Sequence, residues 1–187
     1  MENLLREIGK KCPINVELKE RIQSDFKLVE TKKKEILLEQ GNIANHLYFI
    51  EKGVLHNYYF FKNKKVSSWF YAENRFVSSW YSFFSQKQSY EEIECLEDCV
   101  LYKISYQDYQ KLIKDFPAFN NFARLLSEEI IVFFGEFSKG WAFLTAKEKY
   151  DLLLSYSPTI ELRIKLGFIA SFIGVSQETL SRIRAGK

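Results

Sequence analysis

The chain has 187 residues, 47% hydrophobic and 27% charged, with 17 Phe and 11 Tyr. This is enough apolar material for one large or two small domains and too much for a disordered segment. Eight Gly and three Pro, without a G-x-G-x-x-G or G-x-x-x-x-G-K-[ST] run, exclude dinucleotide enzymes and P-loop nucleotide hydrolases, and two His, His46 and His56, are too few for a three-histidine zinc site. The formal charge is +3, and the whole excess lies beyond Thr145, where Lys147, Lys149, Arg163, Lys165, Arg182, Arg184 and Lys187 face Glu148, Asp151, Glu161 and Glu178; such a tail suits either an acidic partner such as nucleic acid or an ordinary solvated helix face.

No run reaches the roughly 18 apolar residues of a bilayer span, and the opening Met1-Glu2-Asn3-Leu4-Leu5-Arg6 has no basic segment feeding an apolar one. A cytoplasmic protein without a membrane partner is expected. Cys12, Cys95 and Cys99 lack the spacing of a disulfide framework and read as free thiols in a reducing compartment.

From Glu2 to Phe26, Leu4, Leu5, Ile8, Ile14, Leu18 and Ile22 recur at helical spacing, and Pro13 divides the stretch into two short helices. The period then shortens. Phe26 and Leu28, Ile36 to Leu38, Leu47 to Ile50, Val54 and Leu55, Tyr58 to Phe61, Val66 and Trp69 to Tyr71 read as short strands separated by Gln40-Gly41-Asn42, Glu51-Lys52-Gly53 and Lys62-Asn63-Lys64-Lys65, the rhythm of a sandwich or barrel. The last turn is a hairpin tip, and its lysines read as solvated turn residues in preference to a ligand site. A further strand pair, Tyr90 to Leu96 and Cys99 to Ile104, closes the β region.

Helical spacing returns with Phe116, Phe119, Phe122, Ala123, Leu126, Ile130, Phe133, Phe134 and Phe137, and Pro117 suits a first turn. A helix of about twenty residues is about 30 Å long, more than one β domain easily covers. Its aromatic face, Phe122, Leu126, Ile130, Phe133 and Phe137, is therefore expected at a homodimer interface, the alternative being packing within its own domain. Gly135 and Gly140 read as a hinge, Thr145 to Glu148 as a capping box, and the next helix, carrying Tyr150, Leu153 and Leu154, ends before Pro158.

The final helical pair has every landmark of a helix-turn-helix. Leu166, Ile169 and Ile173 line one face, Ala170 is small where a second helix crosses, Gly174 can adopt the left-handed turn, and Ser176 caps the second helix. Leu180 and Ile183 point inward, leaving Gln177, Glu178, Ser181, Arg182 and Arg184 outward as candidate DNA-reading residues. Arginine pairs with guanine, glutamine with adenine, and glutamate accepts from cytosine; Glu178 and Arg182 also stand at the spacing of a plain surface ion pair.

Two stretches resemble the Crp-Fnr family of bacterial transcription regulators: Gln40 to Val54, similar to its first β-roll hairpin, and Ile169 to Arg184, similar to its helix-turn-helix, with Ser176-Gln177-Glu178-Thr179-Leu180-Ser181-Arg182-Ile183 at the recognition-helix opening. The resemblance implies an α+β chain: a jelly-roll-like, cyclic-nucleotide-binding-like β-roll with N-terminal helices over 1–115, a long dimerisation helix over 116–139, and a DNA-binding helix-turn-helix over 140–187. It also implies a homodimeric regulator rather than an enzyme, with double-stranded DNA, RNA polymerase and a small-molecule effector as partners. The alternative is an effector-binding sensor or adaptor of the same architecture without specific DNA recognition.

The family's nucleotide binders use a Gly-Glu pair for the ribose and an Arg-Ser pair for the cyclic phosphate; those places fall near Ser78-Ser79 and Ser89-Tyr90. With glutamate and arginine missing, an effector other than a cyclic nucleotide is expected, and no cofactor. Ser78, Ser79, Trp80, Ser89 and Tyr90 are the candidate effector residues; Phe76, Trp80, Tyr81, Phe83 and Tyr90 either line an apolar pocket or are plain core, with Arg75 and Lys87 as further anion partners. An iron-sulfur sensor needs four thiolates, several near the N-terminus, where only Cys12 stands; Cys95 and Cys99 are expected to flank a turn and approach each other as buried thiols. A metal-dependent jelly-roll enzyme of the cupin type would need clustered His and Glu, which two separated histidines do not supply. The sequence stops at Lys187, soon after the recognition helix, so fewer backbone contacts are expected than in relatives that continue.

Overall fold

In the computed structural model, which describes residues 1–141 and 143–186, two helices precede the sheet region. They are α1 (Glu2–Gly9) and α2 (Val16–Asp25), separated by Pro13 as the sequence predicts, and the Asn15 side chain caps α2 by accepting from the Leu18 amide at 2.9 Å. Leu4, Ile8, Leu18 and Ile22 are buried, so one stripe of each helix faces the core.

Eight strands come next: β1 (Lys27–Thr31), β2 (Ile36–Leu38), β3 (His46–Lys52), β4 (Leu55–Phe61), β5 (Lys64–Tyr71), β6 (Phe76–Val77), β7 (Glu92–Cys95) and β8 (Cys99–Ser105). They form two four-stranded antiparallel sheets, β1-β8-β3-β6 and β2-β7-β4-β5, the β-roll that the family resemblance implies. β4 and β5 meet through the two-residue turn Lys62-Asn63, with φ of 47° and 61°; two positive φ values match the twist of paired strands. β7 and β8 do not pair with each other. Leu96 to Asp98 carries the chain from one sheet to the other, so these two strands close the roll on opposite sides.

Three short helices depart from the sequence reading. Trp80 to Ser85, whose rings the sequence reading leaves as pocket or core residues without an element, forms α3 (Trp80–Ser85). β8 runs directly into α4 (Tyr106–Asp115), whose N-cap Ser105 accepts from the Asp108 amide at 3.0 Å and whose Tyr109 and Leu112 are buried. A single turn, α7 (Ile160–Arg163), sits ahead of the terminal pair.

The long helix is α5 (Pro117–Trp141), with Pro117 in its first turn. It continues through Gly135 and Gly140, so neither glycine is a hinge: the helical hydrogen-bond ladder tolerates an isolated glycine at a cost of about 1 kcal/mol each. α6 (Ala146–Tyr156) starts at the predicted capping box, with Thr145 and Glu148 bonded reciprocally, and ends before Pro158. α8 (Leu166–Ile173) and α9 (Gln177–Arg184) complete the described chain; Lys187 lies outside it. No described helix is long and apolar enough to cross a membrane.

The apolar residues form two clusters. One fills the roll and takes in α1, α2, α4 and the start of α5, including Phe119, Phe122 and Leu126. The other joins Val54, Trp69, Phe70 and Leu96 of the roll to Tyr150, Leu153, Ile160, Ile169, Phe172 and Leu180 of the C-terminal helices. Trp69 is its centre, with ring centroids 4.7 Å from Phe133, 5.6 Å from Phe137, 5.6 Å from Tyr156 and 5.3 Å from Phe172, all edge-on.

This packing corrects the expected dimer face. Phe122 and Leu126 are buried in the roll, Ile130 packs against it, and Phe133 and Phe137 lie on Trp69 and α8 of the same chain. The helical period reveals which face of α5 is apolar but not that β5 and α8 supply its partners.

Replacing Trp69 by alanine removes a side chain that touches four other rings and should lower stability by about 3 to 5 kcal/mol, measured as the shift of the urea unfolding midpoint.

Candidate functional site

The C-terminal pair is built from short-range rules. α8 ends at Gly174, whose φ of +79° places it in the left-handed region, and the amides of Gly174 and Val175 return to the Ala170 carbonyl at 2.9 and 3.0 Å. Ser176 Oγ then accepts from the Thr179 amide at 3.2 Å and caps α9. Leu180 is fully buried and anchors the helix. Gln177, Glu178, Ser181, Arg182 and Arg184 are all exposed on its outer side.

These five residues are not equivalent. Arg184 is tied back to Glu161 of α7 at 3.3 Å. Glu178 and Arg182 do not close an ion pair within 4 Å among the described residues; hydrogen bonding from Ser176 and, to a lesser degree, the charge of Arg182 hold the Glu178 carboxyl below its usual range. Gln177 folds against α8, where a side chain at Gly167 would come within 2.7 Å of its Nε2. Arg182 therefore offers the least encumbered guanidinium of α9 to a base edge.

α7 and α8 are held to the roll by polar contacts, and α8 also by Trp69. Ser171 Oγ donates to the Lys65 carbonyl at 3.2 Å and accepts from the Ser67 amide at 3.2 Å. Arg163 grips both oxygens of Glu73 at 2.7 Å and also bonds Glu97, while Glu73 accepts from the Gly53 amide at 2.8 Å. The Arg163 hydrogen bonds hold the Glu73 carboxyl down to about 2.

His56 lies at the same joint, fully buried between Phe70 at 4.8 Å and Phe168 of α8 at 4.9 Å. Its Nε2 is 2.9 Å from Ser67 Oγ, and its Nδ1 has no hydrogen-bond partner. The nearest carboxylate, Glu94 at 3.9 Å, is engaged by Lys65. Burial, helped by the charge of Lys65, lowers the imidazole to about 3.

The expected effector residues are brought together only in part. Ser79 and Ser89 are buried with their hydroxyl oxygens 2.9 Å apart, and Ser89 Oγ also donates to the Glu91 carbonyl at 2.7 Å. Ser78 turns the other way and donates to the His46 carbonyl at 2.9 Å. Trp80 is buried with its ring stacked on Phe84, whereas Tyr90 is 69% exposed and rests on Tyr81 outside the roll. Arg75 and Lys87 are both exposed.

The residue missed by sequence reasoning is Glu91. Its carboxylate accepts from Ser68 at 3.0 Å and faces Ser79 and Asn57; burial raises it above the usual carboxylate range in spite of those bonds. Asn57, 2% exposed, keeps an unpartnered Oδ1. The acidic pair Glu91-Glu92 at the edge of a strand was the available signal, because strand alternation sends one of the two inward. A cyclic phosphate does not fit here: the nook has serine hydroxyls and a carboxylate where an anion needs a cation.

Separately, a cleft of about 560 Å³ opens between β2 and β3, lined by Ser78 but by none of Ser79, Ser89 and Glu91. Leu38, Tyr48 and Ile93 line it together with the polar Asn42, Asn45 and His46, and its lining holds Glu39 but no Lys or Arg. Cys95 and Cys99 flank the turn as expected, both buried; the Cys95 thiol is raised first by its hydrogen bond to Cys99 and then by burial. No group of three or more candidate metal ligands occurs among the described residues.

Residues 28–116 match the family model of the cyclic nucleotide-binding domain. By structure the chain is similar to CLP, a c-di-GMP-responsive global regulator of Xanthomonas campestris, with 15% identity, 92% of this chain and 91% of that chain covered, and a TM-score of 0.69. It is similar to FixK2 of Bradyrhizobium japonicum at 16% identity, covering 86% and 83%, with a TM-score of 0.70. A regulator of the Crp/Fnr family from Eubacterium rectale aligns at 18% identity over 92% and 83%, with a TM-score of 0.67. The chain has the Crp/Fnr fold. None of the curated proteins matches it by sequence. The structural neighbours of this Crp/Fnr fold are transcription regulators, not enzymes.

The buried imidazole sets a pH dependence. In the unfolded chain His56 takes up a proton near pH 6.5, and in the folded chain only near 3, so the stabilisation is complete above pH 6.5 and is lost as pH falls toward 3. Between pH 7 and pH 5 the His56 contribution should fall by about 2 kcal/mol, read from urea midpoints; a His56→Phe variant should lose correspondingly less over the same interval. Glu73 acts in a lower window, its contribution disappearing as pH falls through the range from 4.5 to about 2.

Proposed function

We propose that this chain is a sequence-specific DNA-binding transcription regulator that acts as a homodimer and responds to a ligand other than a cyclic nucleotide. The observation that carries the reading is the exposed polar face of α9, with Gln177, Glu178, Ser181 and Arg182 presented by a helix whose start is fixed by Gly174 and Ser176. A helix capped and anchored in this way can enter a major groove of about 12 Å width without reorganising.

The dimer reading rests on the opposite face of α5. Ile131, Val132 and Phe134 are 69%, 59% and 47% exposed, and a side chain at Gly135 would meet nothing within 4 Å. An apolar strip with a glycine beside it suits close approach of a second copy of the same helix. Such a pair sets two α9 helices on one duplex, in half-sites about 34 Å apart.

The ligand reading is supported by the sign of the charge in the roll. Glu91 stands beside Ser79 and Ser89, and no Lys or Arg lines the cleft between β2 and β3. An uncharged or cationic effector suits these groups better than a phosphate.

Arg182→Ala should relax base preference at one position of each half-site, by about 1 to 3 kcal/mol of discrimination. Binding to a selected genomic fragment and to its single-base variants measures this; an equal loss on all sequences would reassign Arg182 to a phosphate. Ile131→Glu combined with Val132→Glu should convert the dimer to monomer in sedimentation equilibrium, while a dimer that persists would place the interface elsewhere.

A further inference from the structure

The hairpin tip between β4 and β5 is strongly basic, with Lys62, Lys64 and Lys65 in four residues. Only Lys65 is neutralised: it pairs with Glu94, and its ammonium sits 3.4 Å from the Tyr58 ring centroid. Lys62 and Lys64 are exposed, and neither has a carboxylate within 4 Å among the described residues. The two-residue turn with both φ values positive fixes the tip's direction, so these charges project from a paired ribbon rather than from a long floppy loop.

The helices next to the ribbon give those charges a partner. Just behind its tip, the ribbon is bonded to α8 through Ser171, at the Lys65 carbonyl and the Ser67 amide. A cleft of about 440 Å³ separates ribbon from helices, lined by Lys65, Lys165, Gly167, Ser171 and Gln177. The first residue of α9 and the root of the basic tip are thus two walls of one cleft, although more than a hundred residues separate them in sequence. Lys165 is exposed and forms no ion pair among the described residues, so it extends the same positive strip. Whatever groove receives α9 is walled by phosphates, and this strip flanks the entering helix.

We propose that the β4–β5 hairpin is a second DNA contact, in which Lys62 and Lys64 neutralise backbone phosphates beside the groove that receives α9. The proposal rests on the DNA-binding reading given above and deepens it: α9 supplies base preference, and a ribbon of the sensor domain supplies salt-dependent affinity. Through this contact the roll touches the duplex directly, and the position of the roll relative to α8 sets how many phosphates are engaged.

The test uses the full chain and a genomic fragment selected for binding, with dissociation constants from fluorescence anisotropy between about 50 and 300 mM NaCl, a range in which counterion release dominates the salt dependence. Three proteins are compared: the native chain, Lys62→Gln with Lys64→Gln, and Lys19→Gln with Lys27→Gln as an exposed control pair on α2 and β1. The hairpin variant should weaken binding to selected and mixed-sequence DNA by the same factor, and its slope of log K against log salt should be shallower by about 1 to 2. The control should keep the native slope. All four side chains are exposed, so the variants retain the fold. Native binding with an unchanged slope in the hairpin variant overturns the hairpin contact alone. If the native chain binds no fragment at any salt concentration, the DNA reading falls and the hairpin contact falls with it.

Discussion

The arrangement of this molecule depends on the seam where Trp69 of β5 meets the rings of α5, α6 and α8. Without it, the terminal helices would have one another but no fixed place on the roll. Edge-on aromatic packing provides the apolar part of the seam, and Arg163 between Glu73 and Glu97 provides a directional part that a sliding apolar contact lacks. A regulator that transmits a signal from roll to α9 has to work through this seam. A ligand changes the arrangement only to the extent that it binds one seam geometry more tightly than another. His56, enclosed at this boundary with its Nδ1 unpartnered among the described residues, adds a buried imidazole to the seam.

The parts of the fold that could be read from sequence are those governed by near neighbours. The turn at Gly174 and the cap at Ser176 involve residues no more than five apart, and both occur where the sequence puts them. The capping box at Thr145 and the break at Pro13 are of the same kind. The short strands were legible from their period, but not the sheet to which each belongs, since β7 and β8 are adjacent in sequence and lie in different sheets. α3 was missed because Trp80 to Ser85 is aromatic enough to pass for a strand; only the fold around it makes a short helix the better use of those rings.

The packing of Phe133 and Phe137 within the chain is a different kind of miss. Periodicity shows that a face of α5 is apolar, and a face that long invites a partner from outside. The partner is Trp69, more than sixty residues earlier, together with Phe172, about forty later. The effector region likewise turned on a contact that spacing could not show. Glu91 reaches Ser68 across the sheet, and a region marked by a missing cation in the sequence contains an anion in the structure. Family resemblance correctly implied the roll but gave no sign of this reversal.

The stretch that matches the cyclic nucleotide-binding domain closes at residue 116, yet the roll's own interior draws on Phe119, Phe122 and Leu126 beyond that point. Its outer sheet, moreover, turns Val54, Trp69 and Phe70 toward helices that come later still. A boundary defined by kinship between sequences is therefore not a boundary of cohesion. A fragment cut there would show water a broad greasy flank and an unfinished interior, inviting self-association. In this protein the smallest unit that conceals this apolar surface includes both the roll and the terminal helices.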